Sequence, residues 1–322
     1  MKFLLSRREL FAVLAGAGLS ASIPVRIRAA SSDASGRVVT IRNSDRGEHG
    51  HALLGGMLDT SITALTGADT PAEAWTNLFS PEDHVAIKVN CLGGPNLSTG
   101  HKLVHAVVQR LRNCGVKPRR IIVWDRMSRE LKEAGFTLSK GGDNVQCYGT
   151  DEVGYAPTLY EHGSVASLFS RIVTERCNKI INMPILKDHG ICGMTFAMKN
   201  HFGAIHNPNK FHLNRCDPYI AELNAMSLIR KREVLIIGDL TRIQAEGGPS
   251  YKKHWAVAYA GVLMGTDPVA VDAVALGILE EARKSLGRED LRAKGLYPDY
   301  IATAHRMGVG DMETREHIAL TS

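Results

Sequence analysis

The sequence predicts an α/β fold: a mainly parallel sheet covered by helices on both faces, in Rossmann-like layers, with a C-terminal helical cap. Two observations carry this. Short apolar runs recur along the chain, and amphipathic stretches of helical period separate several of them. Residues 38–41, 85–89, 121–124, 179–183, 234–237 and 261–264 read as strands, nearly continuous in apolar side chains, as strands buried on both faces are. Residues 102–113, 165–174, 195–205, 218–229 and 268–285 read as helices. A third observation fixes two of their starts: Asp217-Pro218 and Asp267-Pro268 each offer a capping carboxylate followed by proline at the first helical position, where a missing N–H costs nothing. The charged segment 283–294 then leads through Pro298 to a last helix ending near Gly308, giving a helical region over about 285–322. No solenoid period is visible.

The chain has 322 residues, 44% of them hydrophobic, enough for a substantial core in one large or two intimately packed domains. Its N-terminus, Ser6-Arg7-Arg8-Glu9-Leu10-Phe11 followed by an apolar, small-residue run from Ala12 to Ile23, reads as a twin-arginine export signal over residues 1–30, with cleavage near Ala29 or Ala30. An ordinary secretory signal and an uncleaved anchor are the alternatives. The apolar run is shorter than the ~20 residues that span a bilayer, so no stable span is expected once the signal is removed. This places the protein in the periplasm or otherwise outside the cytoplasm, with the twin-arginine translocation machinery as a partner. Of the net charge of +6, residues 1–30 contribute five basic side chains and one acidic one, which leaves the rest at +2. That balance, with no basic block or aromatic-basic stripe, gives nucleic-acid binding no support.

Polar residues at strand ends suggest the site, because ligands of open α/β sheets gather outside the carboxyl ends of the strands. Lys88 and Asn90 end one strand, Asp125 another, Lys187 and His189 a third, Asp239 a fourth and Asp267 a fifth, and all five ends are expected on one side. The run from Met183 through Lys187 and His189 to Lys199 and Asn200 reads as a strand, a glycine-bearing loop and a helix N-terminus, an arrangement that favours anions. Lys187 and Lys199 are expected to hold an anionic small molecule and His189 to handle a proton. Glu246, or Asp272, would serve as opposing base or metal ligand. A divalent metal would draw on Asp239, Glu246 or Asp267 together with His189 or His212, although the spacings match no zinc motif. The cysteines at 91, 114, 147, 177, 192 and 216 form no Cys-x-x-Cys, so an iron–sulfur cluster has no motif. Cys91 and Cys192 read as buried thiols, with a mutual bridge or a soft-metal site as the alternative. No dinucleotide fingerprint, Walker loop or serine elbow is present.

Lys187-x-His189, the turn with Thr195, and Lys199-Asn200-x-Phe202-Gly203 resemble the central signature of the DUF362 proteins, a prokaryotic family without an assigned reaction. Three further stretches fit it: residues 85–90 with Lys88 and Asn90, Asp239 with Glu246-Gly247-Gly248-Pro249, and residues 265–272 with Asp267 and Asp272. The motifs span about 80–275. The resemblance implies an architecture and no reaction; the residues themselves suggest Lys88, Asn90, Lys187 and Asn200 for binding substrate and His189, Lys199 and Glu246 for catalysis. Some members carry a ferredoxin-like module, which this chain lacks. The expected function is an enzyme acting on an anionic small molecule by lysine, histidine and carboxylate chemistry, of unknown cofactor. A non-catalytic ligand- or cofactor-binding accessory protein for exported redox enzymes is the alternative.

Overall fold

The computed structural model describes residues 36–44, 50–313 and 316–322; the expected export signal, residues 1–30, lies outside them. Thirteen strands are described: β1 (Arg37–Arg42), β2 (Val85–Val89), β3 (Ile121–Trp124), β4 (Gln146–Cys147), β5 (Tyr155–His162), β6 (Val165–Ser170), β7 (Lys179–Met183), β8 (Ile185–His189), β9 (Gly193–Thr195), β10 (Glu233–Gln244), β11 (Ala256–Val257), β12 (Gly261–Gly265) and β13 (Glu316–Thr321). The main sheet runs β13-β1-β12-β10-β7-β2-β3-β4, and within that path β12 alone runs against the others. The expected α/β class is the observed one.

Alternate residues of each central strand enter two separate cores, which is why the strands read as unbroken apolar runs. Val85, Ile87, Ile121, Val123, Ile181 and Met183 pack into one core with the helices His51–Thr66, Pro71–Leu78 and His101–Asn113. Ala86, Ile122, Trp124 and Ile180 pack into the other with Tyr219–Ala225, Pro268–Ser285 and Tyr300–Arg306. Asp267 caps Pro268–Ser285 as expected, accepting from Val269 N and Ala270 N at 2.8 and 3.1 Å.

Four local expectations fail. Residues 165–174 begin as strand β6 of a hairpin with β5, because Ser167 occupies an inward position, bonded to His206 O at 2.9 Å, and hides the alternation of Val165 and Phe169. The Asp217–Pro218 peptide is cis, Pro218 takes the capping place, and the segment breaks at Met226 into two short helices. Residues 195–205 are helical only over Ala197–Asn200 and a 3₁₀ turn His201–Ala204. After the helix Tyr300–Arg306 the chain does not stay helical but ends as β13, paired with β1.

The stretch from Met183 to Thr195 positions the site. β7 and β8 lie end to end along the long strand β10, interrupted by Pro184, whose carbonyl accepts from Asp239 N at 2.8 Å. β8 turns back into β9, pairing Lys187 with Thr195 and His189 with Gly193. Gly193 has φ +78°, and a Cβ there would meet Leu296 O at 1.9 Å, so only glycine fits this hairpin.

Candidate functional site

Strand register creates the first half of the site. Lys88 on β2 lies level with Trp124 on β3 and Asn182 on β7, all directed to the same face. Its fully buried ammonium donates to Asp125 Oδ1 at 2.7 Å and to Asn200 Oδ1 at 3.2 Å, and sits 5.4 Å from the Trp124 ring centre. Asp125 also accepts from Arg126 N at 2.8 Å and Cys91 N at 2.7 Å, so its carboxylate is fully engaged. The glycine of the Lys-Asn-x-Phe-Gly motif now has a reason: a Cβ on Gly203 would meet Lys88 Nζ at 2.8 Å and Asp125 Oδ1 at 3.0 Å. Asn200 is the hub, accepting from Lys88 and Asn90 (3.1 Å) and donating to Asn182 Oδ1 at 2.8 Å. Asn182 donates in turn to Glu233 Oε2 at 2.7 Å, and Glu233 pairs with buried His201 at 2.6 Å.

The second half carries lysines that hydrogen-bond to no carboxylate. Lys187, fully buried on β8, donates to Asn90 Oδ1 at 2.9 Å, and burial lowers its pKa to about 8. Lys199 lies 3.1 Å from His212 Nε2 and 4.4 Å from the Phe202 ring centre. His212 Nδ1 lies 3.2 Å from Pro208 O, a carbonyl, so Nδ1 carries the proton and Nε2 accepts from Lys199. His189 stacks on His212 with ring centres 5.6 Å apart. Its Nδ1 accepts from Ile191 N and Cys192 N at 3.2 and 3.4 Å, which leaves the proton on Nε2. Burial, with Lys199, His212 and Lys187 nearby, holds its pKa down to about 2. His189 is therefore a neutral hydrogen-bond donor rather than a base.

These residues line one cavity of about 250 Å³, which brings together the sequence-predicted Lys88, Asn90, Lys187, His189, Lys199, Asn200 and His212. The chain's other expectations fall elsewhere. The N–H groups of Ala197 and Met198, expected to face an anion, are occupied by the Asp272 carboxylate at 2.8 and 3.2 Å, so the positive potential comes from lysines instead of a helix end. Asp272 accordingly positions the helix and pairs with neither Lys88 nor Lys199. Glu246 is held outside the cavity by Arg283 at 2.9 Å and by Lys294. Asp239 is buried, bonded to Gly100 N at 2.7 Å and Thr241 Oγ1 at 2.6 Å, and faces a different cleft. Asp267 lies at the opposite end of the sheet, because β12 is antiparallel. Among the described residues no three His, Cys, Asp or Glu side chains converge on a metal position, so Asp239, Glu246, Asp267, His189 and His212 are not one ligand set. The six cysteines are buried free thiols, and Cys192 is hydrogen-bonded to Cys216, not Cys91.

Several cavity residues were not read as site residues from the sequence. Arg126 and Glu130 belong to a charged stretch that looks solvated, yet Glu130 is buried, and burial followed by the Asp125 charge pushes its pKa up. Phe202 was visible only as part of a motif. Thr195 was read as a turn residue. Asn182, behind the cavity, had a usable signal: a polar residue inside an apolar strand, like Lys88.

The Glu246–Pro249 loop reaches the site through glycine. Gly248 packs on β8, where a Cβ would meet Asp188 O at 2.1 Å, and its N–H donates to Asp188 Oδ1 at 2.6 Å; Pro249 then lines the cavity. All four sequence motifs thus converge on or support one site. No curated protein matches the chain. The profile of one family, described as a domain of unknown function, matches residues 85–277, more than half of the chain, and the protein belongs to that family, DUF362.

Proposed function

We propose that the protein is an exported enzyme acting on an anionic small molecule, with Lys187 and Lys199 holding the anion. One observation carries this reading: both lysines face the same cavity and both are hydrogen-bonded to neutral partners, Asn90 and His212, whereas Lys88 has its own carboxylate. A buried ammonium without a counter-ion is costly, and an anionic ligand offsets that cost. His189 donates a hydrogen bond from Nε2. Lys187, whose pKa burial lowers to about 8, is suited to exchanging a proton near neutral pH, and Glu130, whose pKa burial raises, faces the same cavity. The reaction class that fits is proton abstraction next to a carboxylate, as in a racemase, epimerase or lyase.

The test is exchange of the α-proton of a panel of hydroxy and amino acids in deuterated water, followed by NMR. Exchange that Glu130→Gln abolishes, while affinity stays within about threefold, supports the enzyme. Binding without exchange by any member favours the second reading, an accessory protein that holds an anionic ligand or cofactor; the neutrality of His189, which removes one acid–base group, favours it. Failure of every acid to bind sinks both. Elemental and mass analysis of natively purified protein reports any metal or small molecule it carries. Export is tested by cell fractionation, where replacing Arg7 and Arg8 with lysine should retain the protein inside the cell.

A further inference from the structure

We infer that the ligand is amphipathic: an anionic head in the lysine-lined cavity and an apolar tail in the cleft outside it. This rests on the anion-binding reading and extends it. The inner cavity, at about 250 Å³, is smaller than the ~300–1,000 Å³ usual for ligand sites. It adjoins an outer cleft of about 540 Å³, and the two share His189, Asn209, His212 and Pro249 in their linings. The stacked imidazoles therefore form a common wall, polar at the edge that Lys199 touches and flat and apolar over the ring faces.

The outer cleft adds Ile191, Gly190 and Gly248 to that wall, and none of these brings a charge. Large hydrophobic side chains are exposed around the same opening. Leu92, on the cavity lining, is 53% exposed; Ile191, on the cleft, is 44% exposed; and Leu213, next to His212, is 70% exposed. Of the six exposed large hydrophobics among the described residues, Leu92 lines the inner cavity and Ile191 the outer cleft. Single exposed leucines need no explanation, but a cluster at the mouth of a charged cavity does. The tail of the same molecule is the occupant that the four residues shared by the two linings point to.

Titration calorimetry of the full chain with acetate, butanoate, hexanoate and octanoate tests this. Affinity should rise by up to about fourfold for each methylene that reaches the cleft. Ile191→Asn, at an exposed position that lines the outer cleft and not the inner cavity, should flatten the length dependence while leaving acetate binding unchanged. Lys199→Gln should weaken the whole series together. Equal affinity across the series overturns the tail inference and leaves the anion reading standing. A length dependence that Ile191→Asn does not alter also overturns it, because the tail then lies elsewhere. Absence of binding by all four acids, acetate included, overturns the anion reading itself.

Discussion

Two buried lysines within one cavity wall behave differently. On β2, Lys88 is matched by Asp125 at 2.7 Å and held by Asn200; on β8, Lys187 has only the amide oxygen of Asn90. The first is a closed unit, in which charge, hydrogen bonds and the missing side chain of Gly203 all fit without a ligand. The second has no hydrogen-bonded carboxylate, and burial lowers its pKa although the charges of Asp125 and Glu130 nearby oppose that. Similar burial thus yields scaffolding in one case and a binding group in the other, and the difference is the presence of a carboxylate.

Substitutions that break this contrast should do so unequally. The largest effect is expected for Lys88→Met, which leaves the Asp125 carboxylate buried without its cation: a loss of about 3–5 kcal/mol in chemical denaturation. A loss under about 1 kcal/mol would remove Lys88 from the scaffold. Next, Lys187→Met should cost little stability, because it removes a desolvated charge, yet weaken carboxylate binding by roughly tenfold or more, about 1.4 kcal/mol. A large fall in its melting temperature would erase the distinction between the two lysines.

A smaller effect sharpens the same point. Below pH ~8 Lys187 is charged, and above it the amine is neutral, so carboxylate affinity should fall by up to about tenfold as pH rises from 7 to 9, and this fall should vanish in Lys187→Met. The linkage has the opposite sign for folding. The cost of burying the ammonium is present below about pH 8 and is relieved as pH rises toward the ordinary lysine pKa of ~10.4, so the wild type should gain stability relative to Lys187→Met over that window. The smallest change is expected for His189→Gln. Because His189 is already neutral, carboxylate affinity should shift by less than about threefold, and a larger loss would restore a charged role to the imidazole.

The sequence carried the central strands and the Asp267-capped helix, because apolar runs and Asp-Pro signals are local. It carried the lysines and asparagines of the site for the same reason: polar residues at the ends of apolar strands stand out. It did not carry direction. Asp267 follows a strand just as Asp125 does, and only pairing with β10 reveals that β12 runs the other way. Nor did it carry partners distant along the chain, so Glu246 looked free although Arg283 and Lys294 engage it. Glu130 was hidden for the converse reason, a buried carboxylate within a stretch of surface-like composition.

The bond from Asp272 to Ala197 and Met198 also fixes an order of assembly. A helix of four residues has no stability of its own, and the carboxylate that caps this one lies about 75 positions later in the chain. During synthesis Lys199 and Asn200 emerge well before the group that holds their helix in place. The cavity is therefore one of the last parts of the molecule to take shape. A ligand that needs Lys199 and Asn200 in position can be acquired only by a nearly finished chain, not by a nascent one.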